Sequence, residues 1–160
     1  MAQRQIGVLF VCTGNICRSP TAHGVFERMV NNAGLSGQLL VASAGTHSYH
    51  VGNPPDERTQ ACALERGYDL SGLRARKLER SDLDRFDHIL AMDRGHMAIL
   101  ERMATPAQRP KLGLFTAYTL GRRGEDVPDP YYGGSDGFER VLDLVEEGAQ
   151  GLLAALRARL

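Results

Sequence analysis

Straight after a short apolar run, residues 11–22 read VCTGNICRSPTA. Two cysteines, an arginine, a glycine and a serine are more than a sharp turn between a strand and a helix requires, because glycine and a capping residue already satisfy it. A glycine-containing turn feeding a helix aims several backbone N–H groups at one point, and the helix dipole favours an anion there. Thr13, Gly14, Asn15, Ile16, Cys17, Arg18 and Ser19 therefore read as a phosphate-binding cradle. Arg18 adds a planar fork that can hold two oxygens of a phosphoryl group, a geometry lysine cannot supply. Cys12, at a helix N-terminus beside that arginine, is placed to act as a thiolate at neutral pH. Thiolate attack on phosphorus forms a phosphocysteine.

Phosphoryl transfer to sulfur also needs a proton for the departing oxygen. Asp129 is the candidate acid, because Pro128 and Pro130 stiffen its loop and Tyr131 and Tyr132 follow it as possible cleft walls. The same carboxyl group, once ionised, can activate the water that hydrolyses the intermediate.

Competing chemistries lack their signatures. GxxxxGK[ST] is absent and no GxGxxG follows the first strand, so a nucleotide site has no anchor. His23, His47, His50, His88 and His96 show no ligand spacing such as HExxH, which predicts no metal and places them mostly at the surface or the cleft edge. Cys62, between Ala61 and Ala63 in a helical stretch, reads as a small buried hydrophobe.

The elements that must position these residues alternate along the chain. Ile6 to Val11 is continuous, apolar and partly β-branched, as expected of a central strand buried on both faces. Ser19-Pro20 looks like a cap followed by a first-turn proline, and Ala22, Val25, Phe26, Met29 and Val30 follow at helical spacing. Strands are predicted over 39–44, 88–92 and 111–114, with helices over 56–66 and 94–103. In the last helix Asp136 and Glu139 look like a capping pair before Phe138, Val141, Leu142, Val145, Ala149, Leu152, Leu153 and Leu156, while Gly148 and Gly151 weaken it. This alternation predicts a parallel α/β sheet with right-handed crossovers. Residues 45–55 and 115–137 read as ordered loops at the carboxyl edge of the sheet, where ligands bind in such folds.

The whole chain has 160 residues, with Lys plus Arg and Asp plus Glu at 19 each. That length suits one domain over 1–160. Balanced charge gives no global field toward nucleic acid or an acidic membrane. Cys12, Cys17 and Cys62 form an odd set without framework spacing, the N-terminal residues lack a secretory signal pattern, and no apolar stretch is long enough for a bilayer. A cytoplasmic setting is expected.

Taken in order, VCTGNICRSP, Ser43-Ala44-Gly45-Thr46, residues 49–56 (YHVGNPPD), Ala91-Met92-Asp93 and Asp129-Pro130-Tyr131-Tyr132 resemble the low-molecular-weight protein tyrosine phosphatases across nearly the whole chain. The resemblance implies a single-domain α/β three-layer sandwich, with a four-stranded parallel sheet flanked by helices and the phosphate loop after the first strand. It implies hydrolysis of phosphotyrosine in proteins without metal or cofactor, with Cys12 as nucleophile, Arg18 binding phosphate and transition state, and Asp129 as general acid and base. It further implies that Ser19 hydrogen-bonds the leaving thiolate and that Asn15 shapes the loop through a network including Ser43. Cys17 resembles the second cysteine that pairs with the nucleophile under oxidation, a reversible protection. Tyr49, Tyr131 and Tyr132 resemble walls of an aromatic slot. Ile16, where phosphoarginine-directed relatives tend to carry threonine, favours phosphotyrosine. One departure stands out: many relatives carry a histidine before the segment matching residues 74–77, where this chain has Gly72-Leu73.

Three other functions are compatible with parts of this pattern. Arsenate reduction on the same fold needs relay cysteines that 78–90 does not contain. A non-catalytic phosphotyrosine-binding module would not need both Cys12 and Asp129. Phosphoarginine hydrolysis would share the chemistry and differ in the slot.

Overall fold

The computed structural model describes residues 5–119, 124–130 and 136–160. Its elements run β1 (Ile6–Cys12), α1 (Arg18–Asn32), β2 (Leu39–Gly45), α2 (Glu57–Glu65), α3 (Asp82–Arg85), β3 (His88–Ala91), α4 (Arg94–Met103), β4 (Leu112–Leu114) and α5 (Asp136–Arg157), with short 3₁₀ turns at Arg109–Lys111 and Phe115–Tyr118. The strands form one four-stranded sheet in the order β2-β1-β3-β4, parallel throughout. β1 is central, as its unbroken apolar run predicts.

Because side chains alternate along a strand, β1 feeds two cores. Val8, Phe10 and Cys12 join Val25 and Phe26 of α1 and Val145, Ala149 and Leu152 of α5. Leu9 and Val11 point the other way, to Leu83, Phe86, Ile89 and Leu100. Helices thus cover both faces of the sheet, which is the three-layer arrangement expected. Phe10 sits edge-on to Phe26 and Phe115, with ring centroids 5.8 and 5.7 Å away. Removing it would cost about 3–5 kcal/mol as a core truncation.

Element boundaries differ from the sequence reading where backbone bonding decides them. β2 runs on to Gly45, paired with Cys12. β3 ends at Ala91, yet Met92 N–H still donates to Val11 O, and Met92 O accepts from Val127 N–H at 2.8 Å. The first helix starts at Arg18 with Cys17 at its N-cap, and no side chain caps it. Ser19 is therefore not the cap, because its hydroxyl is engaged by the phosphate loop. Pro20 is the third helical residue, still within the turn whose N–H groups lack helical acceptors. Glu139 does not fold back on its helix start either: its carboxylate meets Arg66, which also reaches Asp143 and Glu146.

Gly148 and Gly151 turn out to be contacts rather than flaws. A Cβ on Gly148 would come 2.5 Å from the Phe115 ring, and one on Gly151 would come 2.0 Å from Tyr118 O. The helix can lie this close to the 3₁₀ turn only without side chains there.

Candidate active site

The loop between β1 and α1 is held from three sides. Asn15 adopts φ 57°, the left-handed conformation in which asparagine is tolerated. Its Oδ1 accepts from Arg76 N–H at 3.0 Å and its Nδ2 donates to Ser19 Oγ at 2.7 Å. Arg76 is fixed in turn by a two-point ion pair to buried Asp82, at 3.0 and 3.2 Å. On the β2 side, Thr46 N–H donates to Cys12 O and His47 N–H to Thr13 O. Gly45 permits this approach, since a Cβ there would lie 2.8 Å from Thr13 O.

Ser43 departs from the expected network: its Oγ meets His23 Nδ1 at 2.9 Å, while Asn15 is committed to Ser19 and Arg76. His23 Nε2 lies 3.5 Å from Glu27. An imidazole from α1 therefore supports Ser43.

Cys12 and Arg18 are both buried, at 3 % and 4 % exposure. Cys12 Sγ lies 2.9 Å from Ser19 Oγ and 3.4 Å from Ser19 N–H. Ser19 Oγ accepts from Asn15 and keeps a hydrogen that it can donate to a thiolate. Arg18 Nη1 donates to Asp93 Oδ2 at 2.8 Å and to Val127 O at 3.0 Å. Burial works against the Asp93 charge, but the His96 N–H bond and Arg18 outweigh it and hold the carboxyl below its ordinary range.

Val127 also positions the candidate acid. Its buried side chain, its N–H on Met92 and its C=O on Arg18 fix the backbone two residues before Asp129. Asp129 Oδ2 then lies 3.7 Å from Arg18 Nη2. Cys12, Thr13, Gly14, Ile16, Cys17, Arg18, Tyr49, His50 and Asp129 line a single cleft of about 290 Å³.

Tyr49 stands on the rim, 73 % exposed, with its ring stacked on His47 at 5.1 Å and 15°. Tyr131 and Tyr132 lie outside the described residues. Cys17 is free and largely buried at the edge of the cleft. Burial pushes its thiol up to about 12, and the charges of Asp56, Cys12 and Asp129 act in the same sense. The nearby Thr59 hydroxyl opposes this, though it lacks the alignment of a hydrogen bond. Among the described residues, no group of three or more His, Cys, Asp or Glu side chains is set to hold a metal ion.

His96 corrects the sequence reading most clearly. It is buried, not peripheral, at 3 % exposure, and its Nε2 lies 2.7 Å from Thr13 Oγ1. Asp93 and His96 were legible as an Asp-x-x-His helix start, since Asp93 caps α4 by accepting His96 N–H at 2.9 Å. Nothing in their spacing tied them to a turn some eighty residues earlier.

The family model for low molecular weight phosphotyrosine protein phosphatase matches residues 7–160. The chain belongs to that family. A low molecular weight protein-tyrosine-phosphatase of Streptomyces coelicolor is 46 % identical over 153 residues, which cover 94 % of this chain and 93 % of the relative. A protein tyrosine phosphatase of Entamoeba histolytica, crystallised with Hepes in the active site, superposes with a TM-score of 0.92 at 36 % identity, covering 98 % of this chain and 100 % of that one. Wzb of Vibrio vulnificus, solved with benzylphosphonate, gives 0.83 at 32 % identity over 95 % and 99 % of the two chains. In this family member the loop 12–19, the Asp93 strand end and the segment leading to Asp129 converge on one cleft.

Proposed function

We propose that this member of the family hydrolyses phosphotyrosine in proteins through a phosphocysteine. The observation that carries the reading is the convergence of Cys12, the Arg18 guanidinium and the Asp129 carboxyl group on one cleft. Cys12 Sγ attacks phosphorus as the bond from phosphorus to the tyrosine oxygen breaks, and Asp129 delivers its proton to that oxygen. Arg18 and the loop N–H groups hold the equatorial oxygens, whose charge is best met by a preorganised planar donor. Asp129, now ionised, takes a proton from water, the water oxygen attacks phosphorus, and the P–S bond breaks. The Ser19 hydroxyl then donates to the departing thiolate.

Tyr49 supports an aryl substrate, because an exposed ring at the rim offers a face to a phenyl group. The Vibrio vulnificus relative binds benzylphosphonate, an oxyanion carrying such a ring. Ile16 at the cleft wall favours the same class over phosphoarginine. Under oxidation, Cys17 is the partner for Cys12, protecting it as a reversible disulfide. The partners are tyrosine-phosphorylated proteins, and a reducing cytoplasm suits three free thiols. No helix among the described residues is long and apolar enough to cross a membrane.

The test is hydrolysis of para-nitrophenyl phosphate in EDTA by wild type and by Cys12→Ser, followed by a tyrosine-phosphorylated peptide. Turnover lost with that one atom supports cysteine chemistry. An inactive wild type, or an active Cys12→Ser, overturns it.

A further inference from the structure

Arg18 sits in a closed ring of side chains that the reaction above leaves unexplained. Asp93 Oδ2 accepts from Arg18 Nη1 at 2.8 Å, and Asp93 Oδ1 lies 3.1 Å from His96 Nδ1. His96 Nε2 is 2.7 Å from Thr13 Oγ1, and Thr13 Oγ1 is 3.5 Å from Arg18 Nη2. His96 Nδ1 is buried and makes no aligned hydrogen bond, and Asp93 Oδ1 also accepts the His96 backbone N–H at 2.9 Å.

The carboxylate facing His96 Nδ1 sets the direction of the ring. Arg18 can only donate, so Thr13 Oγ1 accepts from Nη2. The one hydroxyl hydrogen is then free to go to His96 Nε2. The imidazole is neutral at pH 7, since burial and the Arg18 charge push it down to about 4. Its own hydrogen therefore resides on Nδ1, facing a carboxylate. The opposite tautomer would set a nitrogen lone pair against that anion.

We propose that His96 and Thr13 are positioning residues for Arg18: together with Asp93 they clamp one edge of the guanidinium and leave the other edge for substrate. A guanidinium has five N–H donors. Nη1 gives both of its hydrogens, to Asp93 and to Val127 O, and Nη2 gives one to Thr13. The Nε–H and the second Nη2–H remain. Because His96 joins Asp93 to Thr13, the ring closes over the Nη1–Nη2 edge, so the free pair is the parallel fork that matches two phosphoryl oxygens. Rotation of Arg18 out of this plane breaks the ring. The clamp matters most when the equatorial oxygens carry most charge, in the transition state.

This inference rests on the phosphatase reading, and its test separates the two. Thr13→Val keeps the shape and removes the hydroxyl, Thr13→Ser keeps the hydroxyl, and His96→Leu opens the ring elsewhere. With para-nitrophenyl phosphate, Thr13→Val should lower kcat about tenfold with KM changed less than about threefold, the signature of an interaction strongest in the transition state. Thr13→Ser should recover most of that loss. His96→Leu added to Thr13→Val should cost little more, because residues in one network are not additive. Nitrogen NMR of the His96 ring gives a second readout that needs no turnover: Nδ1 protonated, Nε2 an acceptor, and the Nε2 signal shifted in Thr13→Val. A ring protonated on Nε2, a Thr13→Val enzyme with wild-type kcat, or additive losses would each overturn the proposal. An inactive wild type would instead sink the phosphatase reading, and the NMR result would still decide the ring.

Discussion

Asn15 Nδ2 donates to Ser19 Oγ at 2.7 Å, and the same hydroxyl lies 2.9 Å from Cys12 Sγ. The residue that shapes the loop also orients the group that meets the sulfur. A hydrogen bond to a charged partner is worth about 1.5–3 kcal/mol. Ser19→Ala should lower kcat by about tenfold to a hundredfold. The loss should fall on breakdown of the phosphocysteine, where sulfur must leave as an anion, so stopped-flow traces should show a larger initial burst of nitrophenol. An unchanged kcat and burst would remove Ser19 from the chemistry.

Asp129 lies 3.7 Å from Arg18 Nη2 and lines the cleft beside Cys12. General acids contribute about 10²–10⁴-fold. Asp129→Asn should lose activity within that range on phenyl phosphate, whose leaving group needs the proton. Para-nitrophenyl phosphate, with a better leaving group, should lose less in the first step. Equal losses on both substrates in single-turnover experiments would argue against proton delivery.

Thiol reactivity follows thiolate fraction and access. Cys17 is buried with its thiol pushed up to about 12, and burial raises Cys62 as well. Cys12 and Cys17 both border the cleft, and only Cys12 Sγ meets the Ser19 hydroxyl and the Ser19 N–H. One equivalent of iodoacetamide at pH 7 should therefore label Cys12 alone in the native protein, and inorganic phosphate should block it. Peptide mass spectrometry that finds Cys17 labelled first would contradict this ordering.

His96 makes stability depend on pH. Its ordinary value of 6.5 falls to about 4 in the fold, so the native state resists protonation more than the unfolded chain does. This contribution is fully present above pH 6.5 and is lost as pH falls from 6.5 toward 4, at most about 3 kcal/mol by linkage. Asp93, held low by its partners, loses its own contribution only at still lower pH. Urea midpoints for wild type should fall across that window, and those for His96→Asn should fall less. Parallel curves would show that the titration lies elsewhere.

Much of this was legible in the chain. The apolar run of β1, the alternation of elements and the cluster around Cys12 announce fold and chemistry because strand burial, helix periodicity and a nucleophile beside a guanidinium leave local signatures. What stayed hidden depends on contacts distant in sequence. Ser19 reads as a cap until Asn15 and Cys12 are seen to share its hydroxyl. Gly148 and Gly151 read as weak points until Phe115 and Tyr118 occupy the space. His23 on Ser43 and His96 on Thr13 are pairings that the folded sheet creates, with no periodicity to betray them.

Tyr49 holds its ring in solvent, braced on His47. An apolar face kept wet in this way stores a dehydration gain that an aromatic ligand releases and a bare oxyanion does not. The cleft thus divides its thermodynamics. The loop end recognises charge with little change in heat capacity, and the rim adds a negative heat-capacity contribution for each ring it covers.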